Sequence, residues 1–432
     1  MKKVAVLGGA RIPFARSFGA YMGVTNQEMM TTSLKAVVDK FGLQNKAIGE
    51  VACGAVMAHS SDWNFARECA LGSGLSAETP AYTISQACGT SLEATILVGN
   101  KIALGQIDCG IAGGTDTNSD LPVVFAREFA HKLLNLSRAK TFADRLKIIA
   151  QIRPSDFKPI TPAVQEPRTG LSMGQSCELM AKTWKISRAE QDELALASHN
   201  NALRAMKDGF YQDLVVPFHG LEQDNNVRAS TLEKMSQLPP AFDKKSGQGT
   251  LTAANSSALT DGSAAVLLAS DDWAKANGHV VQAYMTHSEV AAVDFVKAEG
   301  LLMAPAYAVA RMLKKSGLSL QDFDYYEIHE AFAAQVLCTL KAWESDEFCR
   351  TRLGLPGALG KIDRSKLNVV GGSVALGHPF AATGARIVAG LAKLLHKKGS
   401  GRGLISICTG GGMGVTAILQ KGVASVVPTP TA

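Results

Sequence analysis

Paired metal-type cysteines are missing from this chain. None of its eight cysteines (53, 69, 88, 109, 177, 338, 349 and 408) stands in C-x-x-C spacing, which argues against a zinc site or a redox pair. His329-Glu330 begins like an H-E-x-x-H metalloprotease motif, but residue 333 is Ala, so no metal is expected there. Long runs of Lys or Arg are absent too. The net charge of +6 is mild, suits a phosphate-bearing small molecule as well as a plain basic surface, and gives no reason to expect nucleic acid. No stretch reaches the ~18 apolar residues of a membrane span. The opening MKKVAVLGGARIPF has too short an apolar run before Arg11 to be a signal peptide and reads as a first strand. Free thiols in a reducing cytoplasm are the resulting expectation.

What the chain does have is glycine, 41 residues of it, much of it in tight clusters that mark places where backbone passes close to something. At 432 residues, 46% hydrophobic and 19% charged, it has the length and balance of a globular protein of two or three domains. Residues 3–8 read as a buried strand, and 27–41 as a helix with Met30, Leu34, Val37, Val38 and Phe41 on one face. A strand near 51–56 follows. A strand at 81–86, a helix at 88–104 and a strand at 109–113 then make an alternating α/β unit. The end of the chain repeats that plan, with a strand at 366–370, a Gly-rich elbow, a helix at 382–395, a strand at 403–408 and a further strand at 414–419. Helix then strand then Gly cluster occurs twice, at 90–114 and 383–412, which reads as a weak internal duplication. Between the halves, 119–249 is more polar and basic. Its clearest element is a helix opened by the capping box Ser187-Arg-Ala-Glu190 and running to about Asp208.

Five pieces could carry chemistry. Cys88 follows an apolar strand and opens an apolar helix, where a positive helix end would favour thiolate and lower its pKa. Taken alone, a packed core cysteine is the commoner outcome. His378 sits in Asn368-Val-Val-Gly-Gly-Ser-Val-Ala-Leu-Gly-His-Pro, where glycines present it rather than pack it, so it can take and return a thiol proton. Cys408 ends a strand and leads into Thr409-Gly-Gly-Gly-Met-Gly414, either a tight turn or an oxyanion nest beside an acid/base thiol. His329-Glu330 fits a water-positioning pair or a plain helix cap equally well. The small-residue stretch Thr252-Ala-Ala-Asn-Ser-Ser-Ala-Leu-Thr-Asp-Gly leaves room for a slender arm, or is a loop before a strand.

In this order, over more than 300 residues, these pieces resemble the thiolase family. The resemblance implies a duplicated αβαβα layered fold of the α/β class. It divides the chain into 1–118 plus 250–270 as the N-terminal half, 119–249 as an inserted loop domain for CoA and substrate, and 271–432 as the C-terminal half. It implies that Cys88 is the acylated nucleophile, His378 its activator, Cys408 the second acid/base, and the backbone N–H groups of Cys88 and Gly410 the oxyanion hole. Ser257 resembles the family serine along the pantetheine arm of CoA. No permanently bound cofactor is implied, with coenzyme A entering as a substrate. The family's usual Asn-Glu-Ala-Phe is here His329-Glu-Ala-Phe332, which matches the β-subunits of fatty-acid β-oxidation complexes, as do Gly113-Gly-Thr-Asp-Thr-Asn-Ser-Asp120, Arg138-Ala-Lys-Thr141 and Gly170-Leu-Ser-Met-Gly174. Cys177 stands where the family often has Ala. Thiolytic cleavage of 3-ketoacyl-CoA is the activity implied. A biosynthetic acetoacetyl-CoA thiolase and a ketoacyl-synthase-type condensing enzyme are the alternatives, the latter disfavoured by Cys408. The family is usually dimeric or tetrameric. A basic amphipathic helix over 132–153 could dock a hydratase/dehydrogenase partner, touch a membrane surface peripherally or meet CoA phosphates, or be a solvated lid over the active site.

Overall fold

The computed structural model describes residues 1–422 except 164 and 298; residues 423–432 of the expected C-terminal half lie outside the described residues. Its main sheet runs, edge to edge, Tyr325–Ile328, Gly401–Thr409, Met413–Lys421, Ala283–Ala292, Val4–Arg11, Thr260–Ser270, Cys109–Asp116, Glu50–Gly54 and Ala81–Thr83. The order is nearly symmetric about the antiparallel seam where Val4 pairs Met285 and Val6 pairs Ala283. Going outward on either side, the first two pairings are antiparallel and the third is parallel. The weak duplication read from the glycine clusters is thus a repeat of topology. Strands buried along their whole length, such as Val4–Arg11 and Thr260–Ser270, explain why these segments read as apolar runs rather than alternating ones.

Two central helices, Thr90–Ala103 and Thr383–Lys398, pack on each other and against strands of both halves. Leu92, Ile96, Val98, Ile387, Leu391 and Leu395 join Val4, Val266, Ile405 and Val415 in one buried central cluster. A second cluster lies under the outer helix Asn26–Lys40, and a third under Ala304–Ser316 and Ala333–Glu344. The central helices thus lie against strands of both halves of the sheet, with Asn26–Lys40 covering the first half and Ala304–Ser316 the second, the layered α/β arrangement that the family resemblance implied.

Several boundaries differ from the sequence reading. The helix expected from Cys88 begins at Thr90, with Gly89 as its cap, and the strand before it ends at Thr83. The strand expected at 366–370 is reduced to a single parallel bridge, Tyr326 to Leu367. A 3-10 turn at Arg364–Lys366 precedes that bridge and a left-handed Asn368 (φ 45°) ends it, leaving no length for a ladder. The helix expected over 132–153 is two, Arg127–Arg138 and Phe142–Ile149. Ala139 turns extended, and Thr141 restarts the second helix by accepting from the Asp144 N–H at 3.1 Å, a local cap that outweighs the continuous apolar spacing. The capping box at Ser187 forms as read, opening the helix Arg188–Lys207.

Candidate active site

The nucleophile position is built by a tight elbow between a short strand and the first central helix. Ala87 takes a left-handed conformation (φ 46°), which costs a non-glycine residue ~1–2 kcal/mol. Thr90 holds the bend: its hydroxyl donates to the Ala87 carbonyl at 2.7 Å and accepts from the Gln86 N–H at 2.8 Å. Gly89 must be small, because a Cβ there would lie 2.7 Å from Val415. Cys88 is left half-buried at the crest of the elbow.

The second half builds a matching elbow. Gly377 (φ 104°) turns the chain under Thr260, whose hydroxyl accepts from the His378 N–H at 2.6 Å. His378 is buried, and its Nε2 lies 3.1 Å from Cys88 Sγ, while its Nδ1 lies 2.6 Å from Thr383 Oγ at the start of the second central helix. His329 follows a strand end, with its N–H donating to the Ser406 carbonyl, and its ring sits 4.1 Å from that of His378. The Cys88 sulfur and one ring nitrogen from each of His329 and His378 all lie within 4.8 Å of one another. A thiol and two imidazoles are also a ligand set that a soft cation accepts.

Cys408, buried at the end of its strand, is close enough to Cys88 for their charges to interact. The backbone N–H groups of Gly410 and of Cys88 itself favour the charged form of the Cys88 sulfur. Gly411 and Gly412 take left-handed φ (77° and 71°), which only a glycine turn supplies cheaply, and the Gly411 N–H donates to Glu166 at 2.8 Å. Ser257 is half-buried, and its N–H and its hydroxyl both donate to the Ala331 carbonyl, at 3.0 and 2.8 Å, in the segment that follows His329. The N–H of Ala331 favours the charged form of the Cys408 sulfur. Glu330 faces the Gly-rich loop that carries His378. Its carboxylate accepts from Asn368 Nδ2 (2.6 Å), Ser198 Oγ (2.8 Å) and the Val374 N–H (3.1 Å), so it braces the Gly-rich loop. Cys177 is buried in the core.

Electrostatics correct one sequence expectation. Burial pushes the Cys88 thiol up to about 12, and the N–H groups of Gly410 and Cys88 only partly oppose it. The helix whose positive end was expected to lower this pKa starts two residues later. Burial, with the Arg386 charge second, holds His378 down at about 3. His329 is held well below the usual histidine range by burial, then by His378 and Arg386, and burial pushes Cys408 well up. The resting site is therefore a neutral thiol hydrogen-bonded to a neutral imidazole, and thiolate forms when His378 takes the proton as the sulfur attacks.

Sequence reasoning passed over the groups that hold the histidines: Thr383, Thr260, Ser373 and Arg386. It also missed Asp116, a buried carboxylate whose oxygens accept from the N–H groups of Val56, Met57 and Ala381, tying the first half to the turn after His378. A lone acid ending the Gly-rich strand Cys109–Asp116 was the available signal.

Residues 4–272 match the family model "Thiolase, N-terminal domain", and residues 280–421 match "Thiolase, C-terminal domain". The chain belongs to the thiolase family. This thiolase is 42% identical over 425 residues to a protein of Pectobacterium carotovorum named 3-ketoacyl-CoA thiolase, covering 97% of this chain and 96% of the relative. A Shewanella protein of the same name is 41% identical over 426 residues, covering 97% of each. Among solved structures, this thiolase superposes on the Bacillus anthracis acetyl-CoA acetyltransferase with a TM-score of 0.80, at 31% identity and covering 98% and 99% of the two chains. It superposes equally, at 0.80 and 28% identity, on the Acat5 thiolase of Ascaris suum in complex with coenzyme A, covering 97% of this chain and all of that one.

Proposed function

We propose that this thiolase cleaves 3-ketoacyl-CoA with coenzyme A, giving acetyl-CoA and a shortened acyl-CoA, as a step of fatty-acid β-oxidation. The observation that carries the reading is the 3.1 Å contact between Cys88 Sγ and His378 Nε2, with His329 and Cys408 beside it. In this scheme His378 takes the Cys88 proton as the sulfur attacks the 3-keto carbon. The bond to the two-carbon unit then breaks, and its electrons form an acetyl-CoA enolate, whose oxygen His329 and His378 stabilise while Cys408 protonates its carbon. Coenzyme A enters, Cys408 accepts its thiol proton, and the CoA sulfur displaces the acyl group from Cys88. The Cys88 and Gly410 N–H groups hold the thioester oxygen during acyl transfer. Two half-reactions through an acyl-enzyme give ping-pong kinetics. Coenzyme A is a substrate in this cycle, and Ser257 lines its approach.

The division into an N-terminal half (1–118 and 250–270), a loop domain (119–249) and a C-terminal half (271–432) belongs to the same reading. The loop domain exposes Leu133, Leu134, Phe142, Leu146 and Ile149 beside Arg145 and Lys147, a surface suited to a hydratase/dehydrogenase subunit. A homodimer or homotetramer in the cytoplasm completes the proposal. Among the described residues no helix is long and apolar enough to cross a membrane. The test is a thiolysis assay over a ladder of 3-ketoacyl-CoA lengths, with Cys88→Ser and Cys408→Ser as controls. Activity on chains longer than four carbons is expected; activity confined to the four-carbon substrate would return the enzyme to the biosynthetic class. Loss of a co-purifying partner on charge reversal of Arg145 and Lys147 is the result expected of the docking surface.

A further inference from the structure

Two buried imidazoles lie ring against ring beside Cys88, and the chemistry asks opposite things of them. His378 must offer Nε2 as an acceptor to the Cys88 thiol, so its proton sits on Nδ1 and is donated to Thr383 Oγ. His329 stands where an N–H is needed, to meet an oxygen that gains negative charge. Its proton position follows from its neighbours.

The Nδ1 of His329 lies 2.8 Å from Ser373 Oγ, and the same oxygen lies 2.8 Å from Nη2 of Arg386. Arg386 can only donate. Ser373 is fully buried, and its hydroxyl has no third partner among the described residues. Two arrangements are then conceivable. If His329 carried its proton on Nδ1, Ser373 would accept from both neighbours, and its own proton would be buried with nothing to receive it. That costs roughly 1–3 kcal/mol. If Ser373 accepts from Arg386 and donates to Nδ1, the Ser373 proton and the Nδ1 lone pair are both satisfied. The proton of His329 is then on Nε2, a buried atom with no protein partner.

We infer that Ser373, oriented by Arg386, is a positioning residue that fixes His329 as the Nε2–H tautomer, making it a hydrogen-bond donor to the reacting oxygen while the neighbouring His378 remains an acceptor. This rests on the thiolase reading above and deepens it. It also gives the departure from Asn to His a physical meaning. An asparagine amide always carries N–H donors, whereas a histidine becomes a dependable donor only when a partner such as Ser373 occupies its other nitrogen.

The test has two readouts. In enzyme labelled with 15N in its histidine rings, at neutral pH, the His329 signals (assigned by their loss in His329→Asn) report the tautomer without reference to turnover. The Nε2–H form is expected in the native protein, and a mixture or the Nδ1–H form in Ser373→Ala. In thiolysis, Ser373→Ala is expected to lower kcat about tenfold, less than the 10²–10³ of deleting an oxyanion donor outright, with KM for CoA little changed. Combined with His329→Asn, Ser373→Ala should add almost no further loss, because the amide needs no tautomer set. An Nδ1–H signal in the native protein, or equal losses from Ser373→Ala in both backgrounds, would overturn the inference. Failure of the native protein to thiolyse any 3-ketoacyl-CoA would instead defeat the functional reading, and the ring spectra would still report the tautomer.

Discussion

The two halves use one plan to present different chemistry. Each sends a turn into a central helix, with a threonine at the bend. In the first half Thr90 spends its hydroxyl on the backbone of the elbow, at the Ala87 carbonyl and the Gln86 N–H. In the second, Thr383 spends its hydroxyl on the side chain of His378. The first bend is strained and lifts a sulfur; the second is relaxed by Gly377 and steadies a ring. Duplication thus supplied two equivalent platforms, and what each threonine bonds separates a platform that holds a nucleophile from one that holds a base.

Breaking the nucleophile side is expected to cost most: Cys88→Ala should lower thiolysis roughly 10⁴-fold or more and abolish acyl-enzyme formation, read by mass spectrometry after mixing with substrate. On the base side, His378→Ala should cost about 10²–10⁴-fold in kcat/KM, measured on the same substrate ladder. The contact between the platforms is tested by Gly384→Ala. A Cβ there would lie 2.3 Å from the Leu92 backbone nitrogen, so about 1–3 kcal/mol of stability should be lost in urea denaturation. The smallest effect sharpens the pairing. With the thiol near 12 and the imidazole near 3, free enzyme at neutral pH should show no thiolate absorbance at about 240 nm beyond that of Cys88→Ala. An excess absorbance lost in Cys88→Ala would mean a standing thiolate–imidazolium pair.

The chemistry of this site was more legible in the sequence than its supports. His378 and Cys408 stand out because glycine surrounds them, and Cys88 because it stands between an apolar strand and an apolar helix; both are local signals. The strand expected at 366–370 failed because Asn368 turns left-handed to place its amide on Glu330, a contact 38 residues away that no short window contains. The helix expected over 132–153 broke at a cap only one hydroxyl strong. The thiolate expectation failed because burial, a property of the assembled layers, outweighed a helix end that is itself displaced from Cys88. Thr383 was within reach, a hydroxyl five residues after His378 at a helix start, and so was Asp116, a lone acid ending a Gly-rich strand; Ser373 needed the fold.

The seam at Val4 and Met285 also guards against error. Side chains alternate between faces, so a slip of one residue there would turn every side chain on one flank inside out and carry the imidazole away from the sulfur. A misassembled molecule would be inert rather than unselective, and the cell would meet no stray acylating thiol from it.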